Sequence, residues 1–260
     1  MTNRIPLIAG NWKMNLDHLQ AIALIQKLSW TLSDADHDFS KVEVAVFPPF
    51  TDLRSAQTLI DAEKFEVLLG AQDLSSKDSG AYTGEISGAF LSKLAVKYVL
   101  VGHSERRQYN NEDDSVIQQK VAAAWRHNLT PIICVGETLE ELESEGQSAV
   151  PIRQTIAALS GHDSLGDFVI AYEPVWAIGT GKVATAEEAS AVAGAIRSAM
   201  RESFGEVADA TRILYGGSVK ANNVAGFMRH DDVDGVLVGG ASLDAEEFSG
   251  IARYQKHIVL

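Results

Sequence analysis

A single carboxylate, Glu173, ends the apolar run Phe168-Val169-Ile170-Ala171-Tyr172 and is followed at once by Pro174. The proline biases Glu173 towards an extended or bridge backbone, so the carboxylate should stand at the end of a buried strand. Beyond it come an apolar tip, Val175 to Ile178, and two glycines, Gly179 and Gly181, one residue apart. A loop of that make-up can swing, cover an apolar surface and offer backbone N–H groups. Shielding a carboxylate from water makes it a stronger base, so proton abstraction is the chemistry this pattern suggests. The simpler reading is a strand-end carboxylate paired with a neighbouring Arg or Lys.

Other groups could serve such a base. Asn11-Trp12-Lys13 continues an apolar N-terminal run, and strand alternation would put Asn11 and Lys13 on one face. Lys13 could neutralise a bound anion; taken alone, it also fits a solvated strand end. His103, in Val101-Gly102-His103-Ser104-Glu105-Arg106-Arg107, falls where a strand turns into a helix. The helix dipole there disfavours imidazolium, and a neutral imidazole donating N–H would act as an electrophile. A purely structural histidine is the alternative. Glu105 could hold nearby donors, and Arg106 and Arg107 read as salt-bridge partners. Gly216-Gly217-Ser218 and Gly239-Gly240 follow two late strands. Glycines let a backbone approach an anion closely, and a phosphate on these N–H groups, joined by Gly179, is the reading favoured over two ordinary turns.

The elements that must carry these groups alternate. Strands are expected near Ile5–Asn11, Val42–Phe47, Glu66–Gln72, Tyr98–Val101, Pro131–Val135, Phe168–Tyr172, Arg212–Tyr215 and Gly235–Val238. Amphipathic helical segments lie between them, such as Leu16–Leu28, Ser115–His127 and Glu187–Ser203. Thr185 and Glu188 have capping-box spacing. Eight uninterrupted βα units predict an α/β protein, a closed (β/α)8 barrel of parallel strands ringed by helices, with residues 1–260 as one catalytic domain. An open doubly wound sheet is the rival. The polar and glycine-rich residues gather at the C-terminal strand ends, among them Gln72 and Glu137. A barrel brings those ends to one face, the face where barrel active sites sit.

Composition narrows the function. With 22 Lys+Arg against 35 Asp+Glu the formal charge is −13, unlike a nucleic-acid binder, which needs a basic face. The single cysteine, Cys134, permits no intramolecular disulfide and fits a reducing compartment. Met1 to Pro6 does not read as a signal peptide, and no stretch has membrane-spanning length; a soluble, cytoplasmic protein is expected. No histidines are arranged as HxH or HExxH, so no metal is expected. Gly181-Lys182 lacks the upstream glycine of a phosphate-binding P-loop, because Trp176 holds that place.

The segments Gly10 to Asn15, Val101 to Arg107, Pro131 to Glu137, Ala171 to Lys182, Tyr215 to Val219 and Val236 to Leu243, taken in order, resemble the triosephosphate isomerase family. The resemblance runs from Asn11 to Gly239-Gly240 and beyond. It implies a glycolytic and gluconeogenic isomerase that interconverts dihydroxyacetone phosphate and D-glyceraldehyde 3-phosphate through an enediolate, without a cofactor or a metal. In that resemblance Glu173 is the base, and neutral His103 polarises the carbonyl and shuttles protons. Lys13 supplies positive charge, Asn11 positions the substrate and Glu105 supports His103 and Lys13. Gly179, Ser218, Gly239 and Gly240 match phosphate contacts, and residues 174–182 match a closing lid. Ser79 to Glu85 resembles a loop that reaches a partner, so a homodimer is implied, with Thr83 near the partner's first strand.

Asp73, Gly88-Ala89-Phe90 and Ala186 depart from the family's common residues; the first two lie beside the expected interface. Two alternatives remain from the residues: another phosphate-binding barrel enzyme, such as a metal-dependent sugar-phosphate epimerase, and a non-catalytic binding barrel. The first would need His and carboxylate ligands at several strand ends. The second would be expected to have lost Glu173, His103 or Lys13.

Overall fold

In a computed structural model that describes residues 4–177 and 184–257, eight parallel strands close into a barrel in sequence order. The strands are β1 (Leu7–Asn11), β2 (Glu43–Phe47), β3 (Leu68–Ala71), β4 (Tyr98–Val101), β5 (Thr130–Val135), β6 (Val169–Tyr172), β7 (Arg212–Tyr215) and β8 (Gly235–Val238). Closure is made by β1 against β8, with Leu7 opposite Gly235 and Gly10 opposite Val238. That excludes the open doubly wound sheet.

Helices run between the strands: α1 (His18–Asp34), α2 (Leu53–Glu63), α3 (Gly88–Lys93), α4 (Ser104–Tyr109), α5 (Asp114–Arg126), α6 (Leu139–Glu145) and α7 (Ala149–Leu159). The second half carries α8 (Ala186–Phe204), α9 (Val207–Ala210), α10 (Val224–Phe227) and α11 (Ala245–Ala252). Thr185 and Glu188 form the expected capping box, and α8 opens on Ala186. The first helix differs from the expected Leu16–Leu28. Asp17 accepts hydrogen bonds from Leu19 and Gln20, and the Gln20 side chain accepts one from the Asp17 N–H. That cap starts the helix two residues late, and the buried face continued by Ser29 and Leu32 carries it on to Asp34.

Alternation along the strands builds two layers of core. Leu7, Ala9, Phe47, Tyr98, Leu100, Ile132, Cys134, Val169, Leu214 and Leu237 pack together inside the barrel. Ile8, Val44, Val46, Val99, Ile133, Ile170 and Val236 meet the helices outside. Cys134 is therefore a fully buried thiol; burial first, and then the charge of Glu173, push it well above its usual range.

At the N-terminal end of the barrel, Arg212 donates to Glu43 (2.6 Å) and to the Tyr98 hydroxyl (2.6 Å), and that hydroxyl donates to Glu43. Burial alone would raise the Glu43 carboxyl. The hydrogen bonds from Tyr98 and Arg212, with the Arg212 charge, instead hold it below the ordinary 4.5. A depressed folded-state value means stability that is present above the unfolded value and lost as pH falls through the folded one. Glu43→Gln should therefore cost about 1–3 kcal/mol near pH 7, and the deficit should shrink below about pH 4.5. Denaturant titrations of both proteins across that range test this; a deficit that does not change with pH contradicts it.

Candidate active site

The C-terminal strand ends surround a cavity of about 250 Å³, lined by Asn11, Lys13, His103, Glu173, Ser218, Gly239 and Gly240 among others. Seven of the residues expected at the site thus share one cavity. Gly179 and residues 178–182 of the expected lid lie outside the described residues.

Glu173 follows β6 and is 4% exposed. Its backbone N–H donates to Val135 (2.8 Å), which draws it to the end of β5. One carboxylate oxygen, Oε1, lies 3.0 Å from His103 Nε2, and Oε2 accepts the Ser104 N–H at 3.2 Å. Glycine at 216 keeps this space open, because a Cβ there would stand 2.8 Å from Glu173 Cγ. The partner of the carboxylate is thus a histidine rather than the neighbouring Arg or Lys of the simpler reading.

His103 caps α4, and its Nδ1 accepts the Glu105 N–H at 3.3 Å. That bond assigns the ring proton to Nε2, which donates to Glu173. Burial disfavours a second proton, yet the charge and hydrogen bond of Glu173 outweigh it and raise His103 above its usual 6.5. The helix end, expected to depress the imidazolium, is therefore overridden by a carboxylate in direct contact. For Glu173 itself burial acts upward; His103, the Ser104 N–H and Lys13 act downward and win, so the carboxylate is ionised at neutral pH.

Lys13 reaches the cavity differently from the expected alternation. The first strand stops at Asn11, and Lys13 has φ +54, a left-handed backbone. The kink is held at both ends: Asn11 Oδ1 accepts the Lys13 N–H (3.0 Å), and Gln72 Nε2 donates to the Lys13 carbonyl (2.7 Å) and to Phe47 (2.8 Å). Trp12 is fully buried. Lys13 Nζ pairs with Glu105 at 2.5 Å, and its Cε lies beside Gly239. Glu105 therefore touches both Lys13 and the cap of His103.

The glycine turns follow β7 and β8. Gly216 N–H is tied to Tyr172 at 2.7 Å, and Gly239 begins a 3-10 turn, Gly240–Leu243, that no side chain caps. An uncapped turn start with small residues offers N–H groups to an anion. Among the described residues, no three His, Cys, Asp or Glu side chains gather as metal ligands.

Two parts of the neighbourhood were given no role from sequence. Glu137 is fully buried and accepts hydrogen bonds from the Tyr172 hydroxyl (2.8 Å) and Trp176 Nε1 (2.8 Å), so it anchors the start of the loop that follows Glu173. Its only sequence signal was a carboxylate just past an apolar strand. Asp73 and Glu112 share Lys120, each at 2.6 Å, and both also pair with Arg106. The departure at Asp73 thus places a second carboxylate opposite two cations, behind the site. Arg107 pairs with Asp114 at 2.7 Å, so both arginines are salt-bridged as expected.

Comparison with known proteins agrees with this architecture. A family model described as triosephosphate isomerase matches residues 6–255. A triosephosphate isomerase of Leifsonia xyli is 63% identical over 257 residues, covering 98% of this chain and 99% of its own length. One of Streptomyces avermitilis is 56% identical over 258 residues, with 98% and 99% covered. One of Mycobacterium tuberculosis is 56% identical over 253 residues, with 96% of each chain covered.

Proposed function

The chain belongs to the triosephosphate isomerase family, and from that premise we propose how its residues interconvert dihydroxyacetone phosphate and D-glyceraldehyde 3-phosphate. The observation that carries the reading is an ionised, buried Glu173 in contact with the N–H of His103, within one cavity that Lys13 and two glycine turns also enter. Glu173 takes a proton from the carbon beside the carbonyl. The electron pair forms the C=C bond of the enediolate, and negative charge moves to oxygen. His103 Nε2–H stabilises that oxygen and passes protons between the two substrate oxygens, while Lys13 stabilises the same charge. Glu173 then returns its proton to the other carbon.

The phosphate rests on Ser218, Gly239 and Gly240, joined by Gly179, with Asn11 positioning the substrate and Glu105 holding Lys13. Substrate that separates His103 from Glu173 removes the largest influence that depresses the carboxylate, so burial counts for more and its basicity rises. Closure of residues 174–182 excludes water and protects the enediolate. The whole chain acts as one catalytic domain, in the cytoplasm, where its lone thiol stays reduced.

A homodimer belongs to the same proposal. The loop carrying Thr83 is pinned at its base, where Ser75 N–H donates to Ile86 at 2.7 Å. Met14 (94% exposed), Phe90 (59%) and Tyr82 (47%) leave large apolar side chains on the surface, which a second copy would cover.

A coupled assay on purified protein with chelator present should show turnover of both triose phosphates, and the same preparation should sediment with the mass of two chains. Folded, dimeric protein without turnover overturns the proposal.

A further inference from the structure

Strands β4 and β5 are last paired at Val101 and Ile133. One residue further on, the carbonyls of Gly102 and Cys134 are both caught by one side chain. Arg107 Nε donates to Gly102 at 3.0 Å and Nη2 donates to Cys134 at 3.3 Å, while Nη1 holds Asp114 at 2.7 Å. Gly102 turns the chain from β4 into α4 with φ +71, and a Cβ there would lie 2.7 Å from Ile117 and 3.4 Å from Arg107 Nη2. The guanidinium is thus packed against the turn as well as bonded to it.

The two carbonyls flank the reacting groups. Gly102 immediately precedes His103. Cys134 immediately precedes Val135, whose carbonyl holds the Glu173 N–H. We propose that Arg107 is a positioning residue for proton transfer: it ties the strand that carries His103 to the strand that anchors Glu173 and so sets their separation. Among the described residues no hydrogen bond joins either carbonyl to Lys13 or to the glycine turns, so the bridge acts on the proton-transfer half of the site rather than on the phosphate half. The planar fork reaches the two carbonyls and the carboxylate from three separate nitrogens, whereas an ammonium carries its three donors on one nitrogen and cannot match that spread. The inference rests on the reading of His103 and Glu173 as the proton-transfer pair.

Arg107→Lys keeps the charge and the reach to Asp114 but loses the fork. Misplacement of reacting groups by about 1 Å costs on the order of 10²-fold, so kcat should fall by about ten- to a hundredfold. KM and competitive inhibition by inorganic phosphate should stay within about two-fold. Asp114→Asn, which breaks the ion pair and leaves the fork, should lower thermal stability with kcat close to the unaltered value.

Unchanged kcat in Arg107→Lys, or an equal fall in both variants, overturns the proposal. If Arg107→Lys does not fold, the unaltered protein still decides. Its Arg107 Nε–H should exchange slowly with solvent, and its 15N signal should shift when 2-phosphoglycolate brings a carboxylate against Glu173. Fast exchange or an unmoved signal also overturns the role. His103→Gln separates the two readings: full kcat in that variant defeats the assignment of His103. A slow His103→Gln beside a fast Arg107→Lys defeats only the role of Arg107.

Discussion

Replacing Glu173 by Gln is expected to reduce kcat by about 10²–10⁴-fold, the contribution of a positioned general base, and to leave the fold and the affinity for inorganic phosphate nearly intact. The substitution keeps the shape of the side chain, and its amide oxygen can still accept the Ser104 N–H. What it removes is the ability to hold a proton taken from carbon. Phosphate affinity should hold because three of the residues assigned to the phosphate, Ser218, Gly239 and Gly240, follow β7 and β8 rather than β6, and the substitution leaves the fourth, Gly179, in place. Steady-state kinetics in both directions and phosphate inhibition measure the two quantities separately. A variant with near-wild-type turnover would sink the role of Glu173, and one that loses phosphate binding with turnover would point to a collapsed cavity instead.

Lys13→Ala should be the second large effect, and of a different kind. Lys13 is a cation that enters the cavity just beyond β1, held to Glu105 and lying beside the Gly239 turn. Its removal takes stabilisation from the bound phosphate and from the developing oxyanion together. A fall of about 10²–10³-fold in kcat/KM is expected, with weaker inhibition by inorganic phosphate. Glu105 is 42% exposed in its side chain, so water can solvate it once the lysine is gone and the fold should survive. An unchanged inhibition constant for phosphate would contradict the assignment. The contrast is diagnostic: Glu173→Gln should alter kcat alone, whereas Lys13→Ala should alter binding as well.

Much of the architecture was legible because it follows from local pattern. Residues buried on both faces of a parallel strand make short apolar runs, so all eight strands were placed within one or two residues at their ends. The cap of α8 was legible for the same reason, since Thr185 and Glu188 lie three residues apart. Lys13 shows where local pattern misleads. Alternation assigned it to a face, yet the strand had already ended and a left-handed kink does the placing. That kink depends on Gln72, 59 residues away, and no window of sequence contains both.

The sequence by itself determined which residue types stand at the strand ends, because each of Asn11, His103, Glu173, Ser218, Gly239 and Gly240 lies on or just beyond a readable strand. It also determined that the excess of acidic side chains must leave any anion to be held by local groups. Tertiary structure alone decided how those residues act on one another. The proximity of His103 and Glu173, 70 positions apart in the chain, raises one and lowers the other. Glu137 takes its hold on Trp176 from the same closure, and Arg107 its grip on two strands. The physical reason is range: strand formation and capping depend on neighbours along the chain, whereas charge coupling and carbonyl bridging depend on distances that exist only once the barrel has closed.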